Sequence, residues 1–416
     1  MRVLNDRSKR VHGTLCAMTL VFAASTVEAG GLWIRDFGTT AQGRASAGEA
    51  AGVKSAGTVA HNPAGLALLE KNEFAASGFA FVGDIEFDVK RTTPVAGTGD
   101  GGDLGSTAPA GGLGYAHKLN ERWTLGFSVA GLTGAEVEYD DDWVGRYQAQ
   151  KVTLVGIAAV PGIAWRATDK LSIGLALPVL YTDLELDVAI PNLADPINGP
   201  DGQASIDGDD TNVGVQLGAI YQFNQRTRVG LMYLSEFDQS FSGDLELNLQ
   251  IGSAAVGVET NITFAQMIRV GLAHELNSRY TLYLGAGWED WSEFEDVLIS
   301  TQSRGFSIPT NWDDTWHGSI GLKYRHNDAW EFQAGFAYDT DPTRSEDRRA
   351  DLPVDRQIRV ATGFTWTRNA RWRFGGFFQY IDLGEAELSS GRVFGGEYDP
   401  NRIFLIGANL QYFPSQ

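Results

Sequence analysis

The reading of the fold turns on nine residues, Trp330-Glu331-Phe332-Gln333-Ala334-Gly335-Phe336-Ala337-Tyr338. In an extended chain successive side chains point to opposite faces. Trp330, Phe332, Ala334, Phe336 and Tyr338 therefore share one apolar face with aromatics at its ends, and polar or small residues fill the other. The pattern recurs at Ile358, Val360, Thr362, Phe364 and Trp366, and at Trp372, Phe374, Gly376, Phe378 and Tyr380. Period two is the strand period, and no stretch after residue 29 is long and apolar enough for a transmembrane helix.

An alternating strand fits a soluble sandwich, whose apolar face is the core. It also fits an outer-membrane barrel, whose apolar face meets lipid and whose other face lines a lumen. The connections decide. Tight polar turns occur at Leu119-Asn120-Glu121-Arg122, Ala167-Thr168-Asp169-Lys170, Phe223-Asn224-Gln225-Arg226, Leu276-Asn277-Ser278-Arg279, Arg325-His326-Asn327-Asp328 and Thr367-Arg368-Asn369-Ala370-Arg371. Between them lie longer Gly/Asp/Pro-rich stretches at 91–108, 138–146, 190–210, 248–258, 300–312, 342–354 and 390–400. Six short turns and seven long loops join fourteen strands, and short turns on one side with long loops on the other is the asymmetry of a membrane barrel. The expected strands are 73–90, 109–119, 122–137, 147–167, 170–189, 211–224, 227–247, 259–275, 279–299, 313–325, 328–341, 355–367, 371–389 and 401–413. The fold class is thus all-β: a 14-stranded antiparallel transmembrane β-barrel over residues 73–416. Arg359 tests the register. On the lipid face at mid-depth it would cost roughly 2–4 kcal/mol. The alternation turns it inward.

Residues 1–29 read as a signal peptide: Arg2, Arg7, Lys9 and Arg10, then a short apolar core at Leu15–Ala24, then Val27-Glu28-Ala29 before Gly30. Its removal takes four basic and two acidic residues (Asp6 and Glu28), so the net charge moves from −19 to −21. Such acidity disfavours nucleic acid as a partner. The single cysteine, Cys16, lies within the leader, which leaves the mature chain without thiol chemistry.

Residues 30–72 remain. Within them Gly43–Leu69 is small, Ala/Gly-rich and too poor in bulky apolar residues to fold alone. It is expected to be an N-terminal plug (hatch) inside the lumen. Asn62 is a good helix cap and Pro63 a good first helical residue, so a short helix over Ala64–Leu69 is expected. Gly131 and Gly134 fall inside the third strand, where glycine often marks a bulge or bend.

The plug region, with Gly43-Arg44-Ala45, Gly48-Glu49 and Asn62-Pro63-Ala64, resembles the outer-membrane transporters for long-chain fatty acids and aromatic hydrocarbons (the FadL/TodX-like family). Trp288-Glu289-Asp290-Trp291-Ser292, Tyr338-Asp339, Pro342, Pro353 and Asp355-Arg356 extend the resemblance over most of the mature chain. It implies passive uptake of a hydrophobic molecule in the outer membrane of a Gram-negative bacterium, with a hatch in a fourteen-stranded barrel. It also implies an N-terminus that reaches into the ligand pocket and a kinked third strand that opens the wall sideways. Leu32, Trp33, Ile34 and Phe37 are then the hatch's apolar contacts with ligand, and Gly131 and Gly134 the kink. The family's two basic positions for a fatty-acid carboxylate fall near Val188 and Asp313, so Arg146, Lys151 and Arg359 are the alternative anchors. Their loss raises a neutral aromatic or aliphatic hydrocarbon as the alternative ligand.

No enzyme, cofactor or metal is expected. His61, His117, His274, His317 and His326 are scattered, no G-x-S-x-G elbow occurs, and Asp207–Asn212 lacks the Gly and Glu of a calcium loop. A lipase would need Ser and His to converge from separate strands. A general diffusion porin is the serious rival, and the loops look too short for an adhesin. Outer-membrane lipid and lipopolysaccharide are the expected surroundings, and a monomer the expected state.

Overall fold

A computed structural model describes residues 32–34, 38–192, 194–197, 199–249, 252–294, 296–301, 305–390 and 393–415. The expected leader and Phe37 lie outside the described residues. The wall consists of fourteen antiparallel strand positions. In chain order they are β1 (Glu73–Arg91), β2 (Thr107–Lys118), β3 (Trp123–Glu138), β4 (Lys151–Arg166), β5 (Leu171–Ala176 and Val179–Ile190), β6 (Gly202–Val213 and Gln216–Asn224) and β7 (Thr227–Leu234 and Phe237–Leu249). They continue with β8 (Gly252–Phe264 and Met267–Glu275), β9 (Tyr280–Glu289 and Asp296–Thr301), β10 (Gly305–Pro309 and Thr315–Arg325), β11 (Trp330–Asp339), β12 (Gln357–Thr367), β13 (Trp372–Asp382) and β14 (Phe394–Tyr412). Each pairs with its sequence neighbour, and β14 pairs with β1 from Phe74↔Tyr412 outward, which closes the ring.

The six tight turns share one device. Asn120, Asn277, Asn327 and Asn369 each accept, through Oδ1, the backbone N–H groups two and three residues on. Thr168 does the same through Oγ1, and Asn224 accepts from Arg226. A short side chain that satisfies the turn's own donors makes a self-contained reversal. The alternation is realised as expected on β11 and β12: Phe332, Phe336, Tyr338, Val360 and Phe364 are exposed outward, while Gln333, Asp339 and Arg359 are buried inward. Stacked aromatics at the turn end, Trp123–Trp165 (5.7 Å), Tyr280–Tyr324 (5.1 Å) and Trp330–Trp366 (5.9 Å), form an interfacial belt.

Four stretches expected as loops are partly wall instead: 190–210 and 390–400 are entered by Gly202–Val213 and Phe394–Tyr412, and 248–258 and 300–312 by two extension hairpins. Phe237–Leu249 pairs with Gly252–Phe264 from Phe237↔Phe264 to Leu249↔Gly252, and Asp296–Thr301 pairs with Gly305–Pro309. Their small and polar composition resembles loop sequence, yet cross-strand backbone bonds carry them beyond the turn-to-turn barrel. At the level where these extensions begin, β5 to β10 are all interrupted, at residues 177–178, 214–215, 235–236, 265–266, 290–295 and 310–314. The wall on that side therefore has two tiers.

Residues 38–69 lie inside the ring as four short 3₁₀ helices, Thr40–Arg44, Glu49–Ala51, Ala56–Ala60 and Pro63–Leu68, almost wholly buried. They sit on a belt of inward glycines, one from each strand from β2 to β12: Gly114, Gly126, Gly162, Gly174, Gly218, Gly230, Gly271, Gly285, Gly321, Gly335 and Gly363. The belt is level, since Gly126 pairs Gly162, Gly174 pairs Gly218, Gly230 pairs Gly271, Gly271 pairs Gly285 and Gly321 pairs Gly335. A Cβ on Gly363 would stand 2.8 Å or less from Gly43 on the inner segment; on Gly335 or Gly230 it would meet the backbone of Arg44 or Ala50. Wall side chains satisfy the carbonyls that the short helices leave open: Arg228 to Ala51 (2.8 Å), Gln333 to Thr40 (3.1 Å), Gln411 to Lys54 (2.8 Å) and Arg166 to Ala67 (2.6 Å).

This seating yields a test. Gly335→Val forces a side chain into the Arg44 backbone, and overpacking of that kind costs about 1–3 kcal/mol. The expected result is a lowered midpoint in heat-modifiability gels together with faster proteolysis of residues 38–69. Gly78→Ala, where a Cβ meets nothing within 4 Å, is expected to leave both unchanged.

Candidate functional site: two cavities divided by residues 32–34

Beyond the belt the lumen holds two cavities, and Leu32-Trp33-Ile34 lies between them. The segment is tied to β3. Thr133 Oγ1 donates to the Leu32 carbonyl (2.6 Å), Ile34 N–H donates to the Leu132 carbonyl (2.8 Å), and Trp33 bridges Thr133. Here β3 carries a bulge, with the register against β4 slipping between Gly131 and Thr133. Pairing of β3 with β2 ends at Gly112↔Ala130, and β2 residues 107–111 pair with β1 alone. The wall between β2 and β3 is thus unzipped from Gly131 outward. Ile34 packs against Gly134, where a Cβ would lie 3.1 Å from Ile34 Cδ1.

Trp33 reaches across to the opposite wall. Its Nε1 donates to Ala265 O (2.9 Å) at the break in β8, and its ring meets Phe237 (5.8 Å), Phe264 (5.5 Å) and Trp291 (6.3 Å). One cavity, toward the belt, is lined by Trp33, Ile34, Leu132, Val160, Leu234 and Met267 on its apolar side and by Gln216, Arg269, His317 and Arg359 on its polar side. The other, toward the loops, is lined by Leu32, Val152, Leu154, Leu184, Ile262, Phe294 and Trp312, with Arg349 and Asp351 beside Leu352.

Of the expected anchors, only Arg359 faces a cavity. It is ion-paired with Asp339 at 3.7 Å. Arg146 is held in the loop layer by Asp201 (2.8 Å) and the Ala96 carbonyl and lines neither cavity. Lys151 alternates with inward Val152, so it sits on the outer face, on Glu185 (2.8 Å). Alternation alone, applied to β4, separates Lys151 from the lumen. The position near Asp313 carries an exposed contact with Arg344 (3.9 Å). Sequence reading missed Arg269, paired with Glu289, and Arg349, paired with Asp351 at 2.9 Å. Arg269 follows the inward set Met267, Arg269, Gly271 and was findable from period two.

Asn62 is the N-cap of the Pro63–Leu68 helix, accepting from Ala64 N (3.0 Å). Its Nδ2 also binds the Ala50 carbonyl (2.6 Å) and the β7 carbonyl of Leu231 (3.2 Å). Asn-Pro-Ala thus starts a helix, joins two inner helices and ties them to the wall. His317 Nδ1 lies 2.9 Å from Asp339 Oδ1 and its Nε2 lies 3.1 Å from Ser319 Oγ. That order is shared with acyl-transfer triads. Ser319, however, pairs with Gly285 of the belt, where a Cβ would collide with its Oγ and stand 3.3 Å from Gly48 N, so it lies at the seat of the inner segment.

The loop after β11 frames the outer cavity. Arg348 organises it, donating to Asp341 Oδ2 (2.6 Å) and to the carbonyls of Val354 (2.7 Å) and Glu387 (2.8 Å). Burial pushes the Asp341 carboxyl up from 3.8 to about 6, against the opposing pull of the Thr343 N–H and Arg348. A folded-state value above the unfolded one means that folding binds a proton, so the loop gains stability as pH falls through 6, and the gain is complete below 3.8. Hydrogen exchange across 340–356 is expected to slow roughly tenfold, beyond its intrinsic pH dependence, from pH 7 to pH 5. Asp341→Asn is expected to abolish the excess.

A family profile described as outer membrane protein transport protein (OMPP1/FadL/TodX) matches residues 20–398. The chain is 23% identical to the long-chain fatty acid transport protein of Escherichia coli O6:H1 (strain CFT073), over 97% of this chain and 99% of that one. In fold it is similar to the crystal structure of a Pseudomonas aeruginosa FadL homologue, with TM-score 0.82 and 19% identity, covering 92% of this chain and 99% of that one. It is also similar to the Pseudomonas putida toluene transporter TodX, with TM-score 0.69 and 16% identity over 93% and 99% of the two chains. With the profile spanning most of its length, the chain belongs to the OMPP1/FadL/TodX family of outer-membrane transport proteins of Gram-negative bacteria.

Proposed function

We propose that this protein takes up hydrophobic molecules passively across the outer membrane, a reading supported by relatives named as a long-chain fatty acid transport protein and a toluene transporter. In this reading residues 1–29 are removed as a signal peptide, 30–72 form the hatch, and 73–416 form the barrel. Ligand gathers among the outer loops and enters the cavity beside Leu32. It then passes Trp33 and Ile34 and leaves sideways where β3 is bulged at Gly131–Gly134. Asn62, Pro63 and Ala64 hold the hatch in place, and Arg146 and Lys151 serve as surface charge pairs.

One observation carries the reading: residues 32–34 line both cavities and hydrogen-bond the bulge of β3 at the same time. A ligand that displaces them joins the two cavities and frees the bulge in one step. Binding each CH₂ of an alkyl chain contributes about 0.8 kcal/mol, enough over a chain to offset three hydrogen bonds of about 1 kcal/mol each. No bond is broken in such a passage, and we read Asp339-His317-Ser319 as structural and the chain as no enzyme. It needs no cofactor, works as a monomer, and meets lipid and lipopolysaccharide on its outer face.

Deleting residues 30–34 is expected to reduce uptake of a fluorescent long-chain probe at least tenfold while leaving the barrel heat-modifiable. Undiminished uptake would overturn the proposal. In planar bilayers the intact protein is expected to show no large steady ionic current, and such a current would favour the porin instead.

A further inference from the structure

The cations around the two cavities are already matched. Arg269 is paired with Glu289, Arg359 with Asp339, and Arg349 with Asp351. The first two pairs are almost fully buried. To hold a carboxylate, one of these arginines must part from its own Asp or Glu and leave that charge buried without its partner, which is strongly unfavourable.

A different polar group lacks a partner. Gln216 is buried and lines the belt-side cavity beside Leu234 and Met267. Its Nε2 donates to the Ala60 carbonyl at 3.0 Å, which fixes the amide's orientation. Its Oε1 has no hydrogen-bond partner. A buried carbonyl oxygen without a donor carries its full desolvation cost until a donor arrives. A ligand that fills the space against Trp33, Leu234 and Met267 and carries a donor would supply it.

Resting on the transport reading above, we infer that this cavity is selective for an uncharged hydrophobic molecule that ends in a hydroxyl, such as a long-chain alcohol or an alkylphenol. Its O–H donates to Gln216 Oε1 and its hydrocarbon part lies against Trp33, Leu234 and Met267. A plain hydrocarbon fills the same space and leaves the oxygen unmatched. An ionised fatty acid offers no proton and adds a charge where the cations are taken.

The test uses the full mature chain in amphipol with radiolabelled 1-dodecanol, displaced by unlabelled 1-dodecanol, dodecane or dodecanoate at pH 8. The alcohol is expected to displace at about fivefold lower concentration than the alkane, the worth of one net hydrogen bond. Dodecanoate is expected to be weaker than the alcohol. In Gln216→Leu the alcohol-to-alkane ratio is expected to fall to about one; because the ratio is internal to the variant, a shifted hatch does not mimic the result. Equal displacement by alcohol and alkane in the unaltered protein, as when a water satisfies Gln216, overturns the inference. So does a ratio that survives Gln216→Leu, or dodecanoate as the best competitor; in each case the transport reading stands. If neither labelled dodecanol nor a labelled dodecanoate control binds saturably, the transport reading itself fails.

Discussion

The structure depends on backbone meeting backbone at the glycine belt. A segment as small and apolar-poor as 38–69 has no core of its own, and four short 3₁₀ helices have little internal hydrogen bonding to hold them. What fixes them is contact with the wall along eleven consecutive strands, and at Gly114, Gly174, Gly230, Gly271, Gly335 and Gly363 a Cβ would stand under 3 Å from the inner backbone. Such an approach lets wall side chains two residues along the same strand face reach the inner carbonyls, as Gln333 and Arg228 do beside Gly335 and Gly230. The barrel in turn is filled by this segment, so neither part has a packed interior without the other.

The same contact explains why the charges inside are matched so closely. With the lumen occupied, Arg44, Arg269 and Arg359 are buried, and a buried charge without a partner is costly. Arg44 is bound by Gln333 (2.8 Å) and lies over the Tyr283 ring (4.0 Å), while Arg269 and Arg359 have carboxylates. These pairs rest on β8 to β12, away from the bulged β3, so the polar side of the lumen faces the apolar side at the bulge.

Much of this was legible in period two. It assigned the lipid faces of β11 and β12, turned Arg359 inward, and gave fourteen strands once the Asn-centred turns were counted. Applied with equal care it would have put Lys151 outside and Arg269 inside. Two things were not legible. The extension hairpins at 248–258 and 300–312 have loop-like composition, and only cross-strand pairing makes them wall. The belt was invisible for a different reason. A glycine in a strand reads locally as a bend, and at Gly131 it is one. At Gly230 or Gly335 it is a space reserved for a segment nearly two hundred or three hundred residues earlier, which no local rule reports.

The contrast between the two parts of the N-terminal region decides where motion can start. Residues 38–69 are held by the belt and by side-chain donors from around the ring, and shifting them would strand many buried polar groups at once. Residues 32–34 touch the wall differently. Among the described residues they are fixed by the Ile34, Thr133 and Trp33 hydrogen bonds and otherwise by apolar contact with Phe237, Phe264 and Trp291. An apolar ligand can replace those ring contacts in kind, because hydrophobic contact is non-directional, whereas it cannot replace a hydrogen bond to a carbonyl. Residues 32–34 thus rest on ring contacts and three hydrogen bonds, whereas residues 38–69 are tied by side-chain donors from around the ring.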